Sequence, residues 1–279
     1  EFTGTTTLTG PAHFSVGTAS TFVQNSGLIL SGVVDDGAND YGLIKSGPGT
    51  LELRGVNTFG GAGRTLDILG GVLAANSDAA LGAAGNSVTL NADGLLSVGF
   101  RATGTFSTAR EFILGQTNNS FEVTLGRTLT LTTPFNLSGN ANRALGKSNA
   151  GVLELAADNT GWTGAITVQT GALRLSHSNA AGSGAITASP NDWRGTGVEL
   201  ANNVTITNGL SLQGVNNMLY GGTDFSGQLS SFSGDNTYAG PITFAFDASL
   251  GARAGATLRV TGGITNTANR VLGFNTDLG

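Results

Sequence analysis

The sequence contains one stretch twice, and that stretch decides the fold. The first copy reads Lys45-Ser46-Gly47-Pro48-Gly49-Thr50-Leu51-Glu52-Leu53, continues through Asn57-Thr58-Phe59-Gly60-Gly61 and reaches Gly71-Val72-Leu73. The second copy reads Lys147-Ser148-Asn149-Ala150-Gly151-Val152-Leu153-Glu154-Leu155, then Asn159-Thr160-Gly161-Trp162-Thr163-Gly164, then Gly171-Ala172-Leu173. Each copy alternates apolar and polar residues over a few positions and then turns at Gly or Asn, which is typical of short strands that bury one face. A repeat unit that cannot close its own core must stack on its neighbours.

The rest of the chain continues this pattern of short alternating segments. A worn third copy begins at Gly234-Asp235-Asn236-Thr237-Tyr238, so the copies lie near 45–90, 147–188 and 234–261. We predict a single β-solenoid segment over 1–279, because no Pro-rich tract, charge block or change of period interrupts it. Residues 268–273 echo 141–146, the approach to the second copy, so we expect a fragment of a longer protein. Helix is predicted only as one short turn within 76–82, with a counterpart at 176–182.

Composition excludes several classes of function. Glycine supplies 45 of 279 residues, about twice its average usage, and charged residues make up only 11%. The net charge of −5 and the scattered basic residues argue against a nucleic-acid partner, which needs clustered Lys and Arg. No apolar run approaches the length of a membrane-spanning helix.

Strand and turn lengths favour a coil over a compact sandwich. Three such strands with their corners sum to about 20 residues, which predicts roughly a dozen rungs. The spacing between matched Asn residues is uneven, from Asn57 to Asn159 and from Asn159 to Asn236. A propeller needs equal blades, whereas a solenoid accepts loops at any corner. A Greek-key sandwich is the structural alternative.

The repeat resembles a known family. The order Lys-x-Gly-x-Gly-Thr-Leu-x-Leu-x-Gly-x-Asn-Thr-aromatic-x-Gly, then Gly-x-Leu, is similar to the autotransporter-associated β-strand repeat of bacterial passenger domains. The match is good over 45–73; the copy at 147–173 departs from it at Asn149-Ala150 and Gly161, and the segment around Arg110 resembles the strand that precedes the repeat. The resemblance implies a right-handed parallel β-helix on the cell surface and carries no catalytic chemistry.

Residues with metal or nucleophile chemistry are few. His13 and His177 have no partner at a recognisable spacing, so we predict that neither binds metal nor acts in catalysis. The loop with Asp35, Asp36 and Asp40 has the oxygen ligands that Ca²⁺ prefers. It lacks EF-hand spacing, so we favour a polar loop without metal and leave calcium open.

Two groups of acids keep an enzyme as an alternative. Carbohydrate-cleaving enzymes place two carboxylates together. Glu154 with Asp158, and Asp192 with Arg194 and Glu199, are the candidates here. With 18 acids in the chain, such neighbours also arise by chance.

Aromatic and Asn residues mark the predicted corners. We prefer packing over the end of a rung as the role of the corner aromatic residues, and stacking on sugars is the alternative. These residues are Trp162, Trp193, Tyr220 and Tyr238. An inward Asn at a corner can bond successive backbone groups, and we predict that role for Asn57, Asn159 and Asn236.

The sequence therefore predicts a non-enzymatic extracellular scaffold or adhesin-like passenger segment, located outside the cell or on the bacterial surface. No catalytic, cofactor-binding or metal-binding residue is predicted. The alternatives are a carbohydrate-active β-helix enzyme and a sugar-binding module. Because neither end shows a cap, we expect the ends either to continue into further sequence or to stack on other copies and form a fibre. Contact with a cell surface or carbohydrate is a separate expectation.

Overall fold

A computed structural model describes residues 1–17, 27–91, 97–115, 118–189, 195–213, 219–220, 223–224 and 227–276. These residues form short strands and one 3-10 turn, Asp78–Leu81, which confirms the predicted helical turn; residues 178–182 form turns only. In chain order the strands are β1 (Thr6–Thr7), β2 (Ala12–Ser15), β3 (Gly27–Leu30), β4 (Val34–Asp35), β5 (Leu43–Ser46), β6 (Thr50–Leu53), β7 (Thr65–Ile68), β8 (Gly71–Ala75), β9 (Ser87–Leu90), β10 (Val98–Ala102), β11 (Phe106–Thr108), β12 (Phe112–Leu114), β13 (Asn118–Val123), β14 (Thr128–Leu131), β15 (Ala144–Ser148), β16 (Val152–Leu155), β17 (Ile166–Val168), β18 (Gly171–Leu175), β19 (Ile186–Ala188), β20 (Thr196–Ala201), β21 (Thr205–Ile206), β22 (Leu210–Leu212), β23 (Leu219–Tyr220), β24 (Thr223–Asp224), β25 (Leu229–Ser233), β26 (Asp235–Tyr238), β27 (Ile242–Phe244), β28 (Ala248–Ala252), β29 (Thr257–Val260), β30 (Ile264–Asn266) and β31 (Leu272–Thr276).

The strands wind into a solenoid with three faces. Face 1 holds the sheet β2-β5-β7-β9-β12 and, further along, the sheet β21-β26-β29. Face 2 is one 11-stranded sheet, β3-β6-β8-β10-β13-β15-β17-β19-β22-β27-β30. Face 3 holds β1-β4 and then the 8-stranded sheet β11-β14-β16-β18-β20-β25-β28-β31. Following the chain from β10 through β11 and β12 to β13 visits faces 2, 3, 1 and 2 in turn, which is one complete coil.

Strands that neighbour each other within these faces run parallel, so the solenoid prediction is confirmed. The one antiparallel pair in the described part of the chain is β23 with β24, outside the three faces. The Greek-key alternative is therefore wrong, since it requires antiparallel pairing throughout its sheets. Each coil is somewhat longer than the 20 or so residues assumed, since Asn57 bonds residues 23 positions away on either side. Face 2 has 11 strands in the described part of the chain.

One continuous apolar core runs inside the coils from Leu8 to Leu250. It is built by the period-two alternation of strands, which sends every second side chain inward. The six leucines predicted to share this core all lie in it with at most 1% exposure: Leu51, Leu53, Leu73, Leu153, Leu155 and Leu173. A row of rings in edge-to-face or tilted contact continues through successive coils as Phe100, Phe112, Phe121, Phe135 and Trp162.

The two good copies of the repeat lie on different faces. The Lys45 strand is β5 on face 1, and the Thr50–Leu53 strand is β6 on face 2. The Lys147 strand is β15 on face 2, and the Val152–Leu155 strand is β16 on face 3. The second copy therefore begins four coils and one face after the first.

Candidate functional site

A buried lysine ties two successive coils together at the first repeat copy. Lys45 follows Leu43 by two positions, so the alternation of β5 turns its side chain inward, where it is fully buried. Its Nζ donates hydrogen bonds of 2.7–2.8 Å to the carbonyl oxygens of Ser46 and Gly47 in its own corner and of Gly70 in the next coil. Three acceptors for three N–H groups satisfy a buried ammonium group, which would otherwise be costly.

The second copy makes the same set of lysine hydrogen bonds, called the lysine clamp below, on another face. Lys147, also fully buried, donates from Nζ to the carbonyl oxygens of Ser148, Asn149 and Thr170. Burial lowers the pKa of Lys147 to about 7, against the opposing charge of Glu122, and burial lowers the pKa of Lys45 to about 8. The inward lysine could have been recognised from the pattern Leu-x-Lys in each copy, because residues two positions apart on a strand lie on the same side.

Glycine is required where these corners stack. Gly71 and Gly171 have φ values of 65° and 74°, in the left-handed region that favours glycine. A Cβ on either residue would lie 2.4 Å from a carbonyl oxygen of the preceding corner, that of Gly49 or Gly151. The corners thus approach one another as closely as the lysine clamp requires.

The predicted role of the corner Asn residues is confirmed. Asn57 Oδ1 accepts a hydrogen bond of 2.7 Å from the backbone N–H of Val34 in the preceding coil, and its Nδ2 donates to the carbonyl of Ala80 in the next coil, at 2.6 Å. Asn159 makes the matching bonds, both 2.8 Å, with Phe135 N–H and Ala180 C=O. Each side chain therefore bridges three coils and satisfies backbone groups that water does not reach.

Asn236, in the worn third copy, keeps half of this pattern. Its Oδ1 accepts from the Val204 N–H at 2.9 Å. Its Nδ2 is turned back toward its own coil, to Ser231 Oγ at 2.7 Å and the Ser233 carbonyl at 2.8 Å. The third copy therefore holds the preceding coil but does not reach the following one.

Arg110 holds the helical turn Asp78–Leu81, which lies within the first copy. The side chain is 3% exposed, and its Nε lies 2.8 Å from Asp78 Oδ1. Further guanidinium N–H groups donate to the backbone carbonyls of Gly82 and Ala83. No role for Arg110 is predicted from the sequence. The resemblance of its segment to the Arg-bearing strand that precedes the repeat could have indicated one.

The acidic loop is held by backbone amides. The Asp36 carboxylate accepts hydrogen bonds from the N–H groups of Ala38, Tyr41 and Gly60. Burial disfavours its ionised form, but these bonds outweigh burial and lower the pKa of Asp36. Over the described ranges, no group of three or more His, Asp or Glu side chains is placed to hold a metal ion. Asp36 therefore serves the fold of the loop that contains Asp35 and Asp40.

The acids considered for carbohydrate cleavage are mostly paired. Glu154, Arg174 and Glu199 are register partners on the outer side of face 3, with Arg174–Glu199 at 2.7 Å and Arg253–Glu199 at 3.2 Å. The ring of Phe232 lies 3.5 Å from the Arg174 guanidinium carbon. Phe232 sits at the bulge where β25 slips against β20, and a bulge re-aims side chains in this way. Asp158 instead caps its own corner by accepting from Thr160, and Asp192 and Arg194 lie outside the described residues.

The corner aromatics that the structure describes are core residues. Trp162 is fully buried and donates from Nε1 to the Arg143 carbonyl at 2.6 Å. Tyr238 is also buried, and its hydroxyl donates to the Asn208 carbonyl at 2.9 Å. Packing over the rung is therefore confirmed for these two. Trp193 and the side chain of Tyr220 lie outside what the structure describes.

The histidines make local polar contacts. His13 Nε2 lies 2.7 Å from Ser46 Oγ on an exposed part of face 1. His177 Nδ1 accepts from the backbone N–H of Asn179 at 3.2 Å, within one corner.

A shallow groove follows the outer side of face 2 along the solenoid axis. It comprises two adjoining cavities of 360 and 340 Å³ that share Ser97, Val98 and Ser120. The Arg101–Glu122 ion pair, 2.7 Å, forms part of one wall. Its floor is a column of small outward residues in register, Thr50, Val72, Gly99, Ser120, Gly146 and Thr167. The floor offers hydroxyl groups to a contact partner, and none of the described lining residues is aromatic.

Comparison with known proteins links part of the chain to an adhesin. Over 87 residues the sequence is 45% identical to the Adhesin BmaC autotransporter of Brucella suis biovar 1 (strain 1330). The matched stretch covers 30% of this chain and only 2% of that adhesin. No protein-family model matches the chain, and no solved structure matches it. The similarity supports an autotransporter-related passenger, while membership of the β-strand repeat family stays a prediction. Within the described ranges no helix is long and apolar enough to span a bilayer.

Proposed function

We propose that this chain is a non-enzymatic spacer within an adhesin-like passenger, exposed outside the cell or on the bacterial surface. The observation that carries the proposal is the uninterrupted ladder of face 2, whose 11 strands run through nearly all of the described chain. Lysine and asparagine side chains bind successive coils to one another at the corners, so the coils resist separation. The partial similarity to an autotransporter adhesin supports placing this solenoid within a surface-exposed passenger.

The arrangement of carboxylates supports a non-enzymatic role. Glu199 is fully buried between Arg174 and Arg253, and Glu154 accepts hydrogen bonds from the hydroxyl groups of Thr130 and Ser176. A glycosidase needs one carboxyl group free to donate a proton and a second free to act as base or nucleophile. Neither residue is free in that sense.

The proposal is tested in the bacterium that carries the gene. The coding segment for residues 1–279 is deleted in frame, and adhesion to cultured host cells is measured. It is then replaced by an unrelated β-solenoid of equal axial length. A spacer predicts that deletion lowers adhesion and that the unrelated solenoid restores it. Loss of adhesion that only the native sequence restores would show direct contact by this segment and would contradict the spacer role.

A second proposal concerns association of the isolated chain. The last described coil exposes inward residues that are buried one coil earlier: Ile264 is 42% and Phe274 is 75% exposed, against 1% for Ile242 and 3% for Leu250. We expect end-to-end stacking of chains over this apolar surface. Sedimentation velocity of the chain and of the double variant Ile264→Lys/Phe274→Lys tests it. A native chain that stays monomeric at high concentration would refute the stacking.

A further inference from the structure

We propose that the three faces of this solenoid are interchangeable, so that the chain can lose or gain the 102 residues that separate Lys45 from Lys147 and still fold. Every coil after the deletion or insertion would then be rotated about the solenoid axis by one face. This goes beyond the spacer role, because it gives the rod a way to change both its length and the direction in which its distal surfaces point.

The first support is that equivalent residues make equivalent bonds on different faces. Lys45 and Lys147 are 102 positions apart and bind corresponding carbonyl groups from face 1 and from face 2. Asn57 and Asn159, also 102 positions apart, each bridge the coil before and the coil after. The local structure of the repeat therefore does not depend on which face it occupies.

The second support is that both copies keep their leucines inward although they lie on different faces. The leucines at 51 and 53 point inward from face 2, and those at 153 and 155 point inward from face 3. The corners set the inward and outward sides anew in each coil, since Val72, Gly99 and Ser120 are register partners on the outer side although an odd number of residues separates each from the next. Because a solenoid coil contacts mainly its neighbours, coils distant from the change keep their own contacts.

The decisive variant lacks residues 46–147. It joins Lys45 to Ser148, so the clamp of Lys147 is rebuilt by Lys45, and Asn159 replaces Asn57 beside Val34. The strand Val152–Leu155 moves from face 3 to face 2 and pairs with β3. The deletion removes two hydrogen-bond partners: the Gly60 N–H, which donates to Asp36, and the Arg143 carbonyl, which accepts from Trp162. The variant is therefore expected to be less stable than the parent but folded.

The new pairing can be detected directly, because the chain has no cysteine. In the full chain Ile29 is the register partner of Glu52 on face 2, while Glu154 lies on face 3. In the shortened chain Glu154 takes the place of Glu52. The substitutions Ile29→Cys and Glu154→Cys are introduced together in both chains, and a short bismaleimide is added.

The proposal predicts crosslinking in the shortened chain and none in the full chain. A matched control also lacks Leu153, and it is expected to lose cooperative unfolding because removing one residue inside a strand turns the residues after it to the opposite side. A second variant, with residues 46–147 duplicated in tandem, is expected to fold with a far-ultraviolet dichroism per residue equal to that of the parent. A shortened chain that folds without the crosslink, failure of both the shortened and the duplicated chain to fold, or equal behaviour of the control would each overturn the proposal.

Discussion

Replacing Asn159 by alanine measures how much a corner asparagine contributes to the solenoid. The substitution removes the partner of the Phe135 N–H and of the Ala180 C=O, and the Asn159 side chain is buried between them. Each unsatisfied buried group costs about 1–3 kcal/mol, so we expect the free energy of unfolding to fall by about 2–6 kcal/mol. Urea unfolding followed by circular dichroism measures the change.

Native-state hydrogen exchange makes this test local. Protection of the Phe135 amide should be lost in Asn159→Ala and kept in Asn159→Asp, which retains an oxygen acceptor but removes the donor to Ala180. Exposed Asn142 supplies the matched control, and Asn142→Ala should change stability by less than about 0.5 kcal/mol. An Asn159→Ala variant as stable as this control, with the Phe135 amide still protected, would refute the bridging role.

Three further predictions concern a buried leucine, a buried lysine and the two histidines. Leu153→Ala, at a fully buried position between Leu129 and Leu173, should cost about 2–5 kcal/mol in urea unfolding; a cost below about 0.5 kcal/mol would contradict the inward assignment. Because the pKa of Lys147 is lowered to about 7 in the fold, the unfolded chain binds more protons between about pH 7 and 10.5, so stability should rise with pH across that window. Lys147→Met should reduce the rise, and identical pH slopes for parent and variant would count against the buried clamp. His13→Gln with His177→Gln should leave unfolding and any binding unchanged, and a transition metal bound by the parent but not by the double variant would disprove this.

The sequence predicted the parts of the fold that depend on local alternation. Leu51 and Leu153 were placed inward because every second residue of a strand shares one side, and corner asparagines were assigned from their chemistry at tight turns. These features need only a few neighbouring residues, so they can be recognised in one chain. The helical turn at Asp78–Leu81 was recognised in the same way.

The features that escaped prediction depend on distances set by many corners together. The rotation of the second copy by one face follows from the summed length of four coils, which no local pattern reveals. The bulge that turns Phe232 onto Arg174 depends on a slip between β20 and β25. Arg110 reaches Asp78 across 32 residues, and only the fold brings these two side chains together.

The most direct test of the solenoid uses spin-label distances along face 2. The column of outward residues includes Thr50, Thr167 and Thr243, so that Thr167 lies five rungs and Thr243 eight rungs from Thr50. At about 4.8 Å per rung, double electron–electron resonance should give separations near 24 Å and 38 Å for the labelled pairs Thr50→Cys/Thr167→Cys and Thr50→Cys/Thr243→Cys. The account predicts narrow distributions that lengthen in proportion to rung number. Separations that fail to grow from the first pair to the second would contradict it.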